Sequence, residues 1–227
     1  MKIYLFLVFF IAALSYSQTD IEKGELLLTQ KKYTEAKFYT ENYLKMNPKN
    51  YQAIELLGDI AGSQKKWDEA IRNYAILKNQ MPQNANYWYK FAGAMGMKAK
   101  DSNRFRALGM LDDIEGGFLK AAKLDTNHVD ARWALVVYYM EVPGILGGSE
   151  KKSLKYANEL LKISPVDGYL SMGYIFEYNK NYKEAEKLYI KANEIGKSKI
   201  TYQKLFDLYK NKMKMPQKAE ALLMPTS

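Results

Sequence analysis

Downstream of residue 18, apolar residues recur at intervals of three and four in short runs. This is the period of helices that bury one face. The runs come in pairs. In most pairs the first run carries a glycine and the second an alanine. A dipeptide ending in proline closes the second run, as in Asn47-Pro48, Met81-Pro82 and Ser164-Pro165. Proline cannot continue a helix and pushes its predecessor out of the α region, so each dipeptide predicts a helix end. The pattern therefore predicts a series of helical hairpins.

The hairpins echo one another at 34 residues. Gly24 and Gly58 stand that far apart, as do Tyr33 and Trp67, Glu35 and Glu69, Ala36 and Ala70, Pro48 and Pro82, and Ala185 and Ala219. The local words are Tyr33-Thr34-Glu35-Ala36, Trp67-Asp68-Glu69-Ala70 and Tyr182-Lys183-Glu184-Ala185, with a weaker fourth in Pro216-Gln217-Lys218-Ala219. Glycine in the first helix and alanine in the second let the pair approach closely, and the aromatic before the alanine packs the turn. A single hairpin cannot bury its own apolar face, so neighbours must stack.

This pattern resembles the tetratricopeptide repeat, a unit of about 34 residues that folds as helix–turn–helix. Gly24, Ala36 and Pro48 match the family's Gly, Ala and Pro positions in the first unit, and Gly58, Ala70 and Pro82 match them in the second. Gly173 and Ala185 match in the fifth, where Lys197 replaces the proline. The resemblance implies an all-α, right-handed superhelix of about five to six units. The last unit, Ile200–Leu223, is degenerate and is expected to act as a cap.

The middle of the chain departs from the period. The third unit starts at Ala85, and its closing alanines, Ala121 and Ala122, come roughly ten residues late for a 34-residue repeat. Arg104, Phe105, Arg106 and Leu108 lie in the extra stretch, 98–117, which reads either as a longer helix pair or as a functional loop. The fourth unit, Val129–Pro165, contains Pro143-Gly144-Ile145-Leu146-Gly147-Gly148-Ser149. Its Pro-Gly and Gly-Gly pairs demand a turn, and Ser149 is placed to cap the next helix. This block is similar to a group of bacterial exported tetratricopeptide proteins. They share a Leu-Asp-x-Asn-x-Val-Asp-Ala-Arg segment, here Leu124 to Arg132, and a Pro-Gly-Ile-x-Gly-Gly-Ser loop, here Pro143 to Ser149. Residues 18–227 thus read as one repeat domain with enlarged units across 85–165.

The N-terminus reads differently. Lys2 precedes an uncharged apolar run from Ile3 to Leu14, and Ser15 and Ser17 supply small residues before Gln18. This is the pattern of a secretory signal peptide over residues 1–17, too short to span a bilayer at about 20 residues. The alternative is an uncleaved anchor. The resulting expectation is an exported protein, periplasmic or otherwise in the cell envelope, with no transmembrane segment in the mature chain.

Composition narrows the chemistry. The 227 residues contain no cysteine and one histidine, His128. Thiolate sites, cysteine nucleophiles, disulfides and histidine-rich metal sites are thereby excluded. Gly144–Ser149 lacks the Gly-Lys-Ser/Thr of a phosphate loop, and Asp112, Asp113 and Glu115 lack calcium-loop spacing. His128 lies where units turn over, with no second ligand or nucleophile beside it. The expectation is a protein that is not an enzyme, with no cofactor and no metal. The net charge of +9 comes almost entirely from lysine, since Arg72, Arg104, Arg106 and Arg132 are the only arginines. Arginine is the residue suited to bidentate phosphate contacts, so no nucleic-acid partner is expected.

The resemblance also implies a concave groove lined by the first helix of each unit. Carried over by phase, it gives Glu55 and Asp59, then Tyr89, Lys90, Gly93 and Met97, then Trp133, Val137 and Met140, then Leu170, Tyr174, Glu177 and Tyr178. The family's Lys/Asn clamp for a C-terminal carboxylate has no counterpart, because Asp59, Gly93, Val137 and Tyr174 occupy the asparagine position. What remains is an aromatic and methionine stripe. Tyr89, Met97, Trp133, Val137, Met140, Tyr174 and Tyr178 are the candidate partner-binding residues. These side chains either line a groove for an apolar segment or close the interior. The expected function is a non-catalytic scaffold that binds a protein or peptide in the bacterial envelope. The alternative is a basic binder of acidic polymers or lipid headgroups.

Overall fold

The computed structural model describes residues 20–222. The segment 1–17, expected to be an export signal, lies outside them. Residues 20–29 form α1. There follow α2 (Tyr33–Met46), α3 (Tyr51–Ser63), α4 (Trp67–Gln80), α5 (Ala85–Lys100), the short α6 (Arg104–Leu108) and α7 (Leu111–Leu124). Next come α8 (Val129–Glu141), a 3-10 turn at Gly144–Leu146, α9 (Glu150–Ile163), α10 (Pro165–Tyr178) and α11 (Tyr182–Gly196). The array ends with α12 (Lys199–Asp207), a π-helical turn at Leu208–Lys212, and α13 (Pro216–Ala221). No strand occurs among the described residues. The described residues divide into two compact units, with the division after Gly117, inside α7.

In the first unit, α1/α2 and α3/α4 are the hairpins that the 34-residue echo predicts. The first helices α3 and α5 start where asparagine caps them: Asn50 Oδ1 accepts from Ala53 N at 2.9 Å, and Asn84 Oδ1 from Tyr87 N at 3.3 Å. Ala36 and Ala70 are wholly buried, which leaves no room for a larger side chain. A Cβ on Gly58 would overlap the ring of Tyr74, so the glycine is the space that the ring fills. In the third hairpin the roles reverse. Ala92 on α5 meets Gly117 on α7, where an added Cβ would stand 2.7 Å from that of Ala92. The extra residues of this hairpin form α6, which leaves Phe105 88% exposed.

In the second unit, α8/α9, α10/α11 and α12/α13 are the hairpins. Ser153, on α9, is fully buried and donates to Val136 O on α8 at 2.9 Å. Gly173 on α10 repeats the Gly58 arrangement, with Tyr189 of α11 in place of Tyr74. Ser149 caps α9 by accepting from Lys152 N at 3.3 Å, and Pro165 takes the first position of α10. Lys197, standing where proline was expected, ends α11 in the left-handed conformation at φ 41°. Ser198 and Thr201 then form a reciprocal capping box that starts α12. The core of this end gathers Leu170, Ala185, Tyr189, Ala192, Leu205 and Leu208.

Candidate functional site

The groove-phase residues of the first unit form a charged cluster. Lys90 of α5 reaches both carboxylates of α3, at 2.6 Å to Glu55 and 2.7 Å to Asp59. Tyr74 donates to the same Asp59 at 2.6 Å, and Asn86 donates to Glu55 at 3.2 Å. Burial works against the charge on Lys90, but Asp59 and Glu55 outweigh it and hold the ammonium above the ordinary lysine value. Burial and the charge of Asp59 push the Tyr74 phenol far up. The cluster is therefore a neutral phenol and one cation shared by two anions. Tyr89 and Met97 lie on the same helix as Lys90; Tyr89 is half-buried and Met97 exposed. A side chain at Gly93 would meet open space.

The groove-phase residues of the second unit form an aromatic chain. Trp133 of α8 meets Tyr174 of α10 edge-on, with ring centroids 6.4 Å apart. Tyr174 meets Tyr178, one turn further along α10, at 6.1 Å. Trp133 is fixed by its indole N–H, which donates to Asp167 Oδ1 at 2.9 Å. Tyr174 and Trp133 are half-buried, and Tyr178 is 49% exposed. Val137 lies one turn beyond Trp133 and is half-buried. Burial, then the charge of Glu141, pushes the Tyr174 phenol up. Burial and the charge of Glu177 do the same to Tyr189, which donates to Glu177 Oε2 at 2.8 Å.

Two groove-phase residues sit elsewhere. Met140 and Leu170 are buried at 9% and 5%. The cause is visible in α8, whose buried residues include Ala131, Leu135, Val136, Tyr138, Tyr139 and Met140. A helix apolar on so many sides does not reveal its open face by hydrophobicity. Tyr139 likewise turns toward α9 and stacks on Tyr156 at 5.9 Å.

Sequence reasoning reached Trp133, Tyr174, Glu177 and Tyr178 by phase but missed Asp167 and Glu141. A signal existed. Trp133 and Asp167 are 34 residues apart, and Trp67 donates to Asp101 at 2.6 Å with the same separation. His128 is the N-cap of α8, its Nδ1 accepting from Ala131 N at 3.2 Å. Asp112 and Asp113 stand in the first turn of α7. No group of three or more potential metal ligands occurs among the described residues, and no helix there is long and apolar enough to cross a membrane.

No family model matches the sequence, and no curated protein matches it. Solved structures do match. The chain is similar to TTC0263, a thermophilic tetratricopeptide protein of Thermus thermophilus, at 17% identity over 91% of this chain and 98% of that one, with a TM-score of 0.66. It is similar to PilW, a type IV pilus biogenesis factor, at 15% identity over 93% of each chain and a TM-score of 0.68. It is also similar to YrrB, a tetratricopeptide protein with an unusual peptide-binding site, at 15% identity over 80% of this chain and 87% of that one, with a TM-score of 0.53. Helical hairpins with matched Gly, Ala and Pro positions, and this likeness over nine-tenths of the chain, make the fold an all-α array of tetratricopeptide repeats.

Proposed function

We propose that the protein is a non-catalytic scaffold of the bacterial cell envelope that holds a segment of a partner protein on first-helix side chains. The observation that carries this reading is the aromatic chain Trp133–Tyr174–Tyr178, which ends in a ring half open to solvent. Rigid aromatics lose little entropy on binding and are favoured as interface anchors. Val137 adds apolar surface beside them. In the first unit, Tyr89 and Met97 belong to the same reading. YrrB provides a fold-level analogy only, since fold does not fix function. The expected export signal at 1–17 supports the envelope location.

The test is capture from envelope extract of the host, using the purified protein and its Trp133→Ala and Tyr178→Ala variants at low and high salt. A discrete protein retained at high salt by the parent and lost from both folded variants is the expected result. Equal retention by all three would remove the aromatic chain from the site.

A second reading is favoured by α6. Phe105 is 88% exposed and Leu108 43%, and Arg104 and Arg106 flank the phenylalanine. This is the composition of a short contact with an acidic lipid surface. It predicts co-sedimentation with phosphatidylglycerol vesicles that fades as salt rises and is weakened by Phe105→Ser. Vesicle binding unaltered by Phe105→Ser would exclude α6 as the contact.

A further inference from the structure

The first and last hairpins are finished differently. A stack of hairpins needs a polar outer face at each end, because the end positions have no neighbour to cover them. The last hairpin has one: Gln203 and Lys210 are exposed 34 residues after Tyr169 and Phe176, which pack on the core of that end. The first hairpin does not. Leu26, Ile60 and Ala94 stand 34 residues apart in the first helices of three successive hairpins. Ile60 is buried in a cluster with Ile21, Leu27 and Ala36 of the preceding hairpin, and Ala94 in one with Ile54 and Ala61 of its own predecessor. Leu26, with no described hairpin before it, is 56% exposed.

The second helix adds to this face. Phe38 is 59% exposed and Met46 83%, at positions where α4 carries Arg72 and Gln80. Phe38 meets Tyr39 edge-on at 5.5 Å, and Lys23 of α1, one turn before Leu26, donates to the Tyr39 hydroxyl at 2.8 Å. Met46 lies two turns beyond Tyr39, so Leu26, Phe38, Tyr39 and Met46 share one side of the hairpin. Lys37 marks the other side by pairing with Glu69 of α4. Large apolar side chains left open together mark an interaction surface. The export-signal reading leaves Gln18 and Thr19 ahead of α1, too short a stretch to cover them.

The charges of the face indicate what covers it. Glu35 and Lys45 are exposed near opposite ends of α2, about 15 Å apart along its axis. A twofold axis across the middle of α2 sets each Glu35 opposite Lys45 of the other copy, with Phe38 and Tyr39 between them. From this self-complementarity we infer that the first hairpin is the interface of a homodimer. Two copies of this chain pair isologously, α2 antiparallel to α2, over Leu26, Phe38, Tyr39 and Met46. The polar last hairpin offers no matching surface, so the pairing closes at two copies. The inference goes beyond the scaffold reading and is independent of the aromatic chain of the second unit.

Sedimentation velocity reads the dimer directly, on the protein purified from the envelope of the host, from about 1 to 100 µM. The expected result is a reversible shift from one to two chain masses across that range. Leu26→Asp and Phe38→Ser alter exposed side chains, with the retained fold checked by circular dichroism. Each is expected to weaken the dimer at least about tenfold. Glu35→Lys and Lys45→Glu each bring like charges together and are expected to weaken it about fivefold, and the double variant to restore it. Both charge changes oppose the dipole of α2, so the double variant is the least favourable one for that helix alone. Recovery of the dimer in it therefore comes from the pairing between copies. A monomer throughout the range would overturn the inference. So would a dimer that survives Leu26→Asp and Phe38→Ser, which puts the contact elsewhere. A monomer that binds a different envelope protein, and loses it with Leu26→Asp, would overturn it in favour of a partner at this face.

Discussion

Four lysines do work in this fold that glycine usually does. Lys31, Lys65, Lys180 and Lys214 all have φ between 57° and 61°, and each lies in the turn between the two helices of a hairpin. At the first of these turns Lys31 N donates to Leu28 O and Lys32 N to Leu27 O; Lys65 with Lys66 and Lys180 with Asn181 repeat the pair of bonds. That arrangement closes a helix and places its pivotal residue in the left-handed region, where a side chain costs about 1 kcal/mol. Lys65→Gly is therefore expected to raise unfolding free energy by about 0.5–1 kcal/mol, read from urea denaturation, whereas Lys65→Val should lower it. The opposite logic holds at Gly173, where a Cβ would overlap the buried ring of Tyr189. Gly173→Ala should cost about 2–3 kcal/mol, and Tyr189→Leu in the same chain should recover part of that loss.

At the scale of the element, Arg132 gives the Leu124–Arg132 segment a physical meaning. Its guanidinium donates to Asp125 O, His128 O and Ala122 O, at 3.2–3.3 Å, and its Nε to Glu159 at 3.1 Å. One side chain thus satisfies the carbonyl end of α7, the start of α8 and a carboxylate of α9. Lysine has a single compact head and cannot serve these directions together. Arg132→Lys is expected to lower stability by about 2 kcal/mol, with hydrogen exchange at the end of α7 and the start of α8 quickening first. The spacing of Gly, Ala and Pro made the hairpins legible before any coordinates, because each residue type marks one steric event of the repeat. α6 was not legible as a helix, since five residues are too few to show a period. The open face of α8 was not legible either, because Met140 and Val137 look alike by hydrophobicity while burial separates them. Nor did sequence separate the lysines of the turns from lysines on a solvated face, for Lys31-Lys32 and Lys65-Lys66 differ from other pairs only in backbone conformation.

Across the whole molecule, tyrosines and carboxylates are paired in a way that ties stability to alkaline pH. Tyr74 donates to Asp59 and Tyr189 to Glu177, and Tyr209 donates to Glu186 at 2.8 Å. Burial first, and the facing carboxylate second, push each phenol well above its ordinary value. A group whose proton is held more tightly in the folded state stabilises that state fully below its unfolded value, near pH 10 for tyrosine. Above that, the unfolded chain releases the proton while the folded chain keeps it, and stability falls as pH rises. Each such tyrosine contributes about 1.4 kcal/mol of loss per pH unit in that range. Tyr189 is fully buried, so it carries the cleanest test. Unfolding free energy measured in urea from pH 8 to 11.5 should be flat in tyrosine terms to about pH 10 and then decline. Tyr189→Phe removes one titrating group and one hydrogen bond. It should lower stability at pH 8 by about 1 kcal/mol and make the alkaline decline shallower by about 1.4 kcal/mol per pH unit, so that parent and variant converge as pH rises. Lysines titrate in the same window in both proteins and cancel in the difference. Parallel curves for parent and variant would show that the Tyr189 phenol ionises in the folded state as readily as in the unfolded chain, and would overturn the coupling of its burial to alkaline stability.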